Sequence, residues 1–212
     1  MNEYISSLFM RLDPFTYNHS MRVRDIAEEI EEFYDFPDKS LSTAALVHDI
    51  GKVYISSKIL NKISRLSDLE REIVDLHPYI GYKLLKEQNV DEKICRIVLY
   101  HHGIHPSTLT EIEPIEDADM YDKALMLHSI DCFEALTSDR PYHRGYLANE
   151  ALDIMLSEKN HHQAFLDYVI DLTDKGKTTD NSVIFRTRAI ADDEFVDSML
   201  YGVGAKRVSL AI

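Results

Sequence analysis

The sequence predicts an all-α protein, and three observations carry that prediction. Apolar residues recur every three or four positions in segment after segment, as in Val23, Ile26, Ile30 and Phe33, the period of a helix with one buried face. The 212 residues include only 7 Gly and 6 Pro, so few positions interrupt that period. A single short run, Val183-Ile184-Phe185-Arg186-Thr187-Arg188, reads as a strand.

Taken in order, residues 2–12 form a short amphipathic helix that Asp13-Pro14 ends. The next helix covers about 17–35 and carries His19 on the stripe of Val23, Ile26, Ile30 and Phe33, with Glu28, Glu29, Glu31 and Glu32 mostly off it. Ser40 or Ser42 then caps a buried helix, Leu41 to Val47, that delivers His48-Asp49 to the interior, and Gly51 lets the backbone turn. Residues 56–62 make one helical turn. Ser67 and Glu70 have the spacing of a capping box, opening a helix that runs through Ile73 to His77, and Pro78 starts another. Asp91 caps a helix on which Ile94, Val98 and His101 share a face, with His102 directly after. Residues 103–119, with Pro106 and Pro114, lack a period and read as a long loop. A strong helix over 119–138 aligns Ala124, His128, Asp131 and Ala135, and Asp139-Arg140-Pro141-Tyr142 ends it. Two amphipathic helices follow, near 147–159 and 161–174. A polar break over 175–182 precedes the strand and a short helix near 192–200. The expected organisation is one domain over 1–175 with a C-terminal extension over 176–212.

Charge and composition narrow the function. A formal charge of −14 provides no basic field for a nucleic acid polymer, although metal ions can reverse the sign locally for a small phosphorylated ligand. Cys95 and Cys132 form neither a disulfide framework nor a metal-type spacing; both read as small core residues and suit a reducing, cytoplasmic compartment. No stretch is apolar enough to span a membrane, and the N-terminus lacks a signal-peptide pattern.

The chemistry concentrates in polar residues that the helical phase turns inward: His19, His48, Asp49, His77, His101, His102 and Asp131. Any one of these is most simply a hydrogen-bonded core residue. As a set, five imidazoles and two carboxylates buried together would carry a large desolvation cost. A pair of cations bridged by Asp49 would satisfy them and leave positions open for water and substrate.

These residues stand in recognisable surroundings. His19-Ser20-Met21-Arg22-Val23, His48-Asp49-Ile50-Gly51-Lys52, His77-Pro78-Tyr79-Ile80-Gly81, His101-His102, and Asp131 through Tyr142 together resemble the HD superfamily of metal-dependent phosphohydrolases. Within it they look most like the HD-GYP branch, whose typical members hydrolyse cyclic di-GMP. The resemblance covers about residues 15–170 and implies an HD-domain helical bundle. It implies one metal held by His19, His48, Asp49 and Asp131, and a second held by Asp49 with His77, His101 and His102. Iron or manganese is typical of the branch, and this mixed ligand set also suits zinc. The resemblance makes Asp49 and Lys52 the catalytic pair and Lys52 and Arg140 the substrate contacts, with Lys52 neutralising a phosphate oxygen; Arg140 reads equally as a helix-end residue pairing with Asp139 or Glu134.

The sequence departs from its relatives at two places. After the paired histidines the branch has Glu and a Gly-Tyr-Pro loop, whereas this chain reads Gly103-Ile104-His105-Pro106-Ser107. Phe15 occupies the place of a Glu that supports a third metal in some members, so a binuclear site is expected. His128 faces the way of Asp131, as a support for the ligands or as core packing. His143, His161 and His162 are expected to face solvent; His105 reads first as an exposed loop residue, with an extra ligand or substrate contact as the alternative. The resulting expectation is a phosphodiesterase that opens a cyclic dinucleotide, cyclic di-GMP first, with a hydroxide bridging the metals. An HD phosphohydrolase for another nucleotide or small phosphoester, and a metal-bearing scaffold that binds nucleotide without turnover, are the alternatives.

Overall fold

A computed structural model describes residues 3–103, 117–139 and 144–174. Among these the chain is helical throughout, with no β-strand, as the periodicity predicts. The helices are α1 (Glu3–Phe9), α2 (Pro14–Phe33), α3 (Ser40–Val47), α4 (Ser57–Leu60), α5 (Asp68–Asp75), α6 (His77–Glu87), α7 (Glu92–Tyr100), α8 (Ala118–Thr137), α9 (Ala148–Ser157) and α10 (Gln163–Asp174), with a 3₁₀ turn at Ile50–Tyr54. The expected strand at 183–188 and helix at 192–200 lie outside the described residues, as does the whole extension 176–212.

Helix α2 packs along α3 and α8, α3 also meets α7, and α6 lies against the 3₁₀ turn and α7. Ile26, Ile30, Leu41, Ile50, Ile97, Leu127 and Phe133 are fully buried where these helices meet. The polar candidates sit at the ends of the same helices, so one packing arrangement builds the core and gathers the site.

Three local expectations need correction. Asp13-Pro14 starts α2 and does not merely end α1: Asp13 accepts from the main-chain N–H groups of Phe15 at 3.1 Å and Thr16 at 3.2 Å, and proline suits a first helical position, which has no partner for an N–H. The helix accordingly begins three residues earlier than its apolar stripe suggests.

Neither Ser40 nor Ser42 caps α3 with its own side chain. Glu31, buried on α2, reaches across and accepts from the Ser42 N–H at 2.9 Å. One buried carboxylate therefore satisfies an orphan donor of the next helix and fixes the α2–α3 approach.

Gly51 is needed for closeness, not for an unusual turn. A Cβ on Gly51 would lie 2.1 Å from the His77 carbonyl oxygen and 2.8 Å from the Gly81 nitrogen. The missing side chain lets the segment after Asp49 touch the start of α6, which brings His77 beside Asp49.

Other boundaries follow the sequence. Ser67 and Glu70 form the complete capping box, and Asp91 accepts from the Lys93 N–H at 2.8 Å at the start of α7.

Candidate metal centre

Three histidines are presented by one device. His48 and His101 occupy the C-caps of α3 and α7, and His77 follows the last turn of α5. The Nδ1 of each hydrogen-bonds the main-chain carbonyl three residues earlier: His48 to Ala45 at 2.7 Å, His77 to Val74 at 2.8 Å, and His101 to Val98 at 2.6 Å. Those carbonyls belong to final helical turns, where partners are lacking and partial negative charge accumulates. Only a protonated Nδ1 can donate to a carbonyl, so each neutral ring turns an unprotonated Nε2 inward.

The Nε2 atoms of His48, His77 and His101 are buried and make no hydrogen bond, and neither does Oδ1 of Asp49. His77 Nε2 nevertheless lies 3.2 Å from that Oδ1. Two lone pairs face each other there, an arrangement that leaves buried acceptors unsatisfied at about 1–3 kcal/mol each. A cation between them converts the repulsion into ligation. The donor set of imidazole nitrogens and carboxylate oxygens fits a divalent transition metal.

The carboxylates span the cluster. Asp49 directs Oδ2 toward His48 Nε2 (3.5 Å), His19 Nε2 (3.7 Å) and Lys52 Nζ (2.7 Å), and Oδ1 toward His77. Asp131 places Oδ1 2.9 Å from His19 Nε2 and Oδ2 3.3 Å from His102 Nε2. Both acids thus face two groups of histidines, whereas the family resemblance gives Asp131 to one side only. Two sets whose ligand atoms lie mutually within 4.8 Å, His19-His48-Asp131 and His77-His101-His102, define the two sides of the cluster.

Electrostatics prepare most of these groups for ligation. Burial opposes ionisation of Asp49 and Asp131, but Lys52 and the adjoining imidazoles hold the Asp49 carboxyl well below its usual range, and the hydrogen bond with His19 does so for Asp131. Burial lowers the pKa values of His48, His77, His101 and His102, keeping the rings neutral. His19 differs. Burial opposes its charge too, yet hydrogen bonds to Asp131 and Glu134 push its pKa up to about 10.

Glu134 was not among the residues singled out in the sequence. Its carboxylate receives His19 Nδ1, Arg22 Nε and the Ser138 hydroxyl, and its own pKa is lowered despite burial. Its place one helical turn after Asp131 was the available signal. Such an outer carboxylate orients an imidazole and raises its basicity.

Lys52 pairs with Asp49 at the floor of a cleft of about 410 Å³, lined in part by Phe15, Thr16, His19, Asn61 and Lys62. Phe15 is 42% exposed there. Gly103, directly after His102, adopts φ +77°, a left-handed conformation that favours glycine. Arg140, His105 and His143 lie outside the described residues. His161 and His162 do not face solvent as expected: the His161 side chain is fully buried, and His162 Nε2 meets Asp122 at 2.9 Å. Among the described residues, no helix is long and apolar enough to cross a membrane.

Fold and site together define an all-helical protein with a buried histidine–aspartate cluster suited to divalent metal. The chain belongs to the HD domain family, whose match runs over residues 16–136. It is 31% identical over 153 residues to the cyclic di-GMP phosphodiesterase PA4108 of Pseudomonas aeruginosa, covering 70% of this chain and 37% of that protein. It is 29% identical over 154 residues to the 3'3'-cGAMP-specific phosphodiesterase 3 of Vibrio cholerae, covering 71% and 33%. The chain therefore spans about a third of the length of these curated relatives. The crystal structure of the L. monocytogenes phosphodiesterase PgpH HD domain shares the fold, with a TM-score of 0.53 at 20% identity over 81% of this chain and 85% of that one. That domain has also been solved in complex with cyclic-di-AMP.

Proposed function

We infer that this chain is a metal-dependent phosphodiesterase that opens a cyclic dinucleotide, cyclic di-GMP foremost. The observation that carries the reading is the set of buried Nε2 and Oδ1 atoms facing one another without hydrogen bonds. The names of the relatives, which act on cyclic di-GMP and 3'3'-cGAMP, supply the substrate class.

His19, His48, Asp49, His77, His101, His102 and Asp131 would hold two divalent ions, iron or manganese first, with Asp49 shared. Bound there, the ions would acidify water and neutralise charge on the phosphoryl oxygens. The protein's own groups do the rest. Asp49 and Asp131 stay ionised and the neutral imidazoles of His48, His77 and His101 keep their lone pairs inward, so the site needs little reorganisation. Lys52, at the floor of the cleft, brings an ammonium to a phosphate oxygen in an otherwise acidic chain, while Lys62, which also lines the cleft, is paired with Glu70. The exposed ring of Phe15 provides a face on which a base can stack. Arg140 is proposed as a further nucleotide contact, in keeping with the family resemblance.

The test is a panel of cyclic di-GMP, 3'3'-cGAMP, cyclic di-AMP and mononucleotides offered to iron- or manganese-loaded protein, with products separated by chromatography. Linear dinucleotide should accumulate from at least one cyclic substrate, and an H48A/D49A variant should lose at least about a thousandfold in rate, the scale of losing a principal electrostatic contribution. Turnover of mononucleotides alone would transfer the reading to another HD phosphohydrolase. Absence of any turnover by the loaded protein would sink it.

A further inference from the structure

A second cluster of metal-type ligands lies outside the histidine–aspartate centre. His128 and Cys132 sit one turn apart on α8, with Cys132 Sγ 3.6 Å from His128 Nε2, and the Asn160 side-chain amide lies 3.3 Å from the same nitrogen, where a metal would displace it. His161, from the turn between α9 and α10, stacks on His128 with ring centroids 5.4 Å apart and planes at 12°. One nitrogen or sulfur from each of the three lies within 4.8 Å of the others.

His161 turns this proximity into a site. Its side chain is fully buried, and its Nε2 lies 3.0 Å from Glu158 Oε2. Its Nδ1 is buried with no hydrogen-bond partner. A carboxylate on one ring nitrogen fixes the proton there and leaves the other as a lone pair, the usual support for a metal-binding histidine. Mere packing of a histidine gives no reason to bury that lone pair unsatisfied.

The sulfur–nitrogen spacing agrees. Tetrahedral zinc with Zn–S about 2.3 Å and Zn–N about 2.0 Å sets an S···N edge of about 3.5 Å. The observed 3.6 Å between Cys132 and His128 already matches it. The His161 ring, stacked on that of His128 at 12°, has to turn about its side-chain bonds to aim Nδ1 at the same point.

We propose that His128, Cys132 and His161 form a separate site for one borderline-soft divalent cation, zinc, joining α8 to the α9–α10 turn. Two imidazoles and a thiolate select zinc over the harder ions suited to a carboxylate-rich centre. The thiol proton leaves to solvent as the metal–sulfur bond forms. The site adjoins the first cluster, because the His128 ring meets that of His102 edge-on at 5.6 Å. A metal here would steady the partly exposed histidine of that cluster from behind. Cys132 thereby acquires a role beyond filling space.

Cobalt(II), a spectroscopic stand-in for zinc, is the probe, because thiolate-to-cobalt charge transfer in the near ultraviolet reports sulfur ligation and the histidine–aspartate centre contains no cysteine. Cobalt titrated into the full chain should produce this band. Cys132→Ser should abolish it, His161→Gln should weaken cobalt binding at least about tenfold, the scale of losing a supporting or ligating group, and Cys95→Ser should leave it intact. The band should persist in H48A/D49A, which separates this site from the proposed phosphodiesterase centre. Absence of the band in the natural sequence, its survival in Cys132→Ser, or its loss in H48A/D49A would overturn the proposal. X-ray absorption of the zinc-loaded natural sequence decides the matter without any variant: a sulfur scatterer at about 2.3 Å is expected, and a shell of only nitrogen and oxygen refutes the site.

Discussion

Glu134 binds His19 through one oxygen and Arg22 through the other, so a single buried carboxylate couples a candidate ligand to a cation on the same face of α2. His19 is the histidine of the cluster whose orientation depends on this distant side chain. Glu134→Gln keeps the shape and removes the charge. Metal affinity, measured by competition with a chelator, should fall about 10–100-fold, while the helical content in circular dichroism stays unchanged.

Proton release separates His19 from the other ligands. Its pKa is raised to about 10, above the ordinary 6.5, so the metal-free protein holds that proton at neutral pH. The stability this proton confers is complete below 6.5 and disappears as pH rises through about 10. Metal affinity moves in the opposite direction, rising with pH across that window, because ligation requires the neutral ring. Calorimetric titration of metal at pH 8 in buffers of different ionisation enthalpy should show about one proton released from His19. The neutral His48, His77 and His101 should contribute none.

The contact between Gly51 and His77 allows a matched pair of substitutions. Gly51→Ala forces a Cβ against main-chain atoms and should destabilise the fold by about 3 kcal/mol or more, displacing His77 from Asp49. Gly81→Ala meets Val98 and Ile50 side-chain atoms at 3.4 and 3.5 Å and the Gly51 main-chain nitrogen at 3.6 Å, all ordinary contact distances. It should be neutral or stabilise by up to about 1 kcal/mol, because alanine is the better helix former. Urea denaturation of both variants measures the contrast.

The buried cap from Glu31 to Ser42 should also be visible in denaturation. Glu31→Ala leaves the Ser42 N–H without its partner and should lose about 2 kcal/mol. Glu31→Gln retains an acceptor oxygen and should recover part of that loss.

The contrast between His19 and Glu31 shows what could be read in advance. Phase within one helix located His19, His101 and Asp131, because an apolar stripe repeating at 3.6 residues marks which face is buried. The capping box at Ser67 and the cap at Asp91 were legible for the same local reason. Glu31 and Glu134 were not, since their partners belong to other helices and helical phase carries no information about how two helices are rotated against each other. Gly51 reads in the sequence as a turn residue, but its backbone is ordinary, and only the arrival of α6 makes its lack of a side chain matter. His161 escaped because a residue in a short turn has no periodicity to betray its burial.

The hydrogen bonds from His48, His77 and His101 to carbonyls three residues back have an evolutionary corollary. Their acceptors are main-chain atoms, present whatever residue occupies positions 45, 74 or 98. Drift in the neighbouring side chains can therefore proceed without scrambling the tautomers of these three rings. His19 enjoys no such insurance, and its pairing with Glu134 is the point at which one codon change would detune the whole cluster.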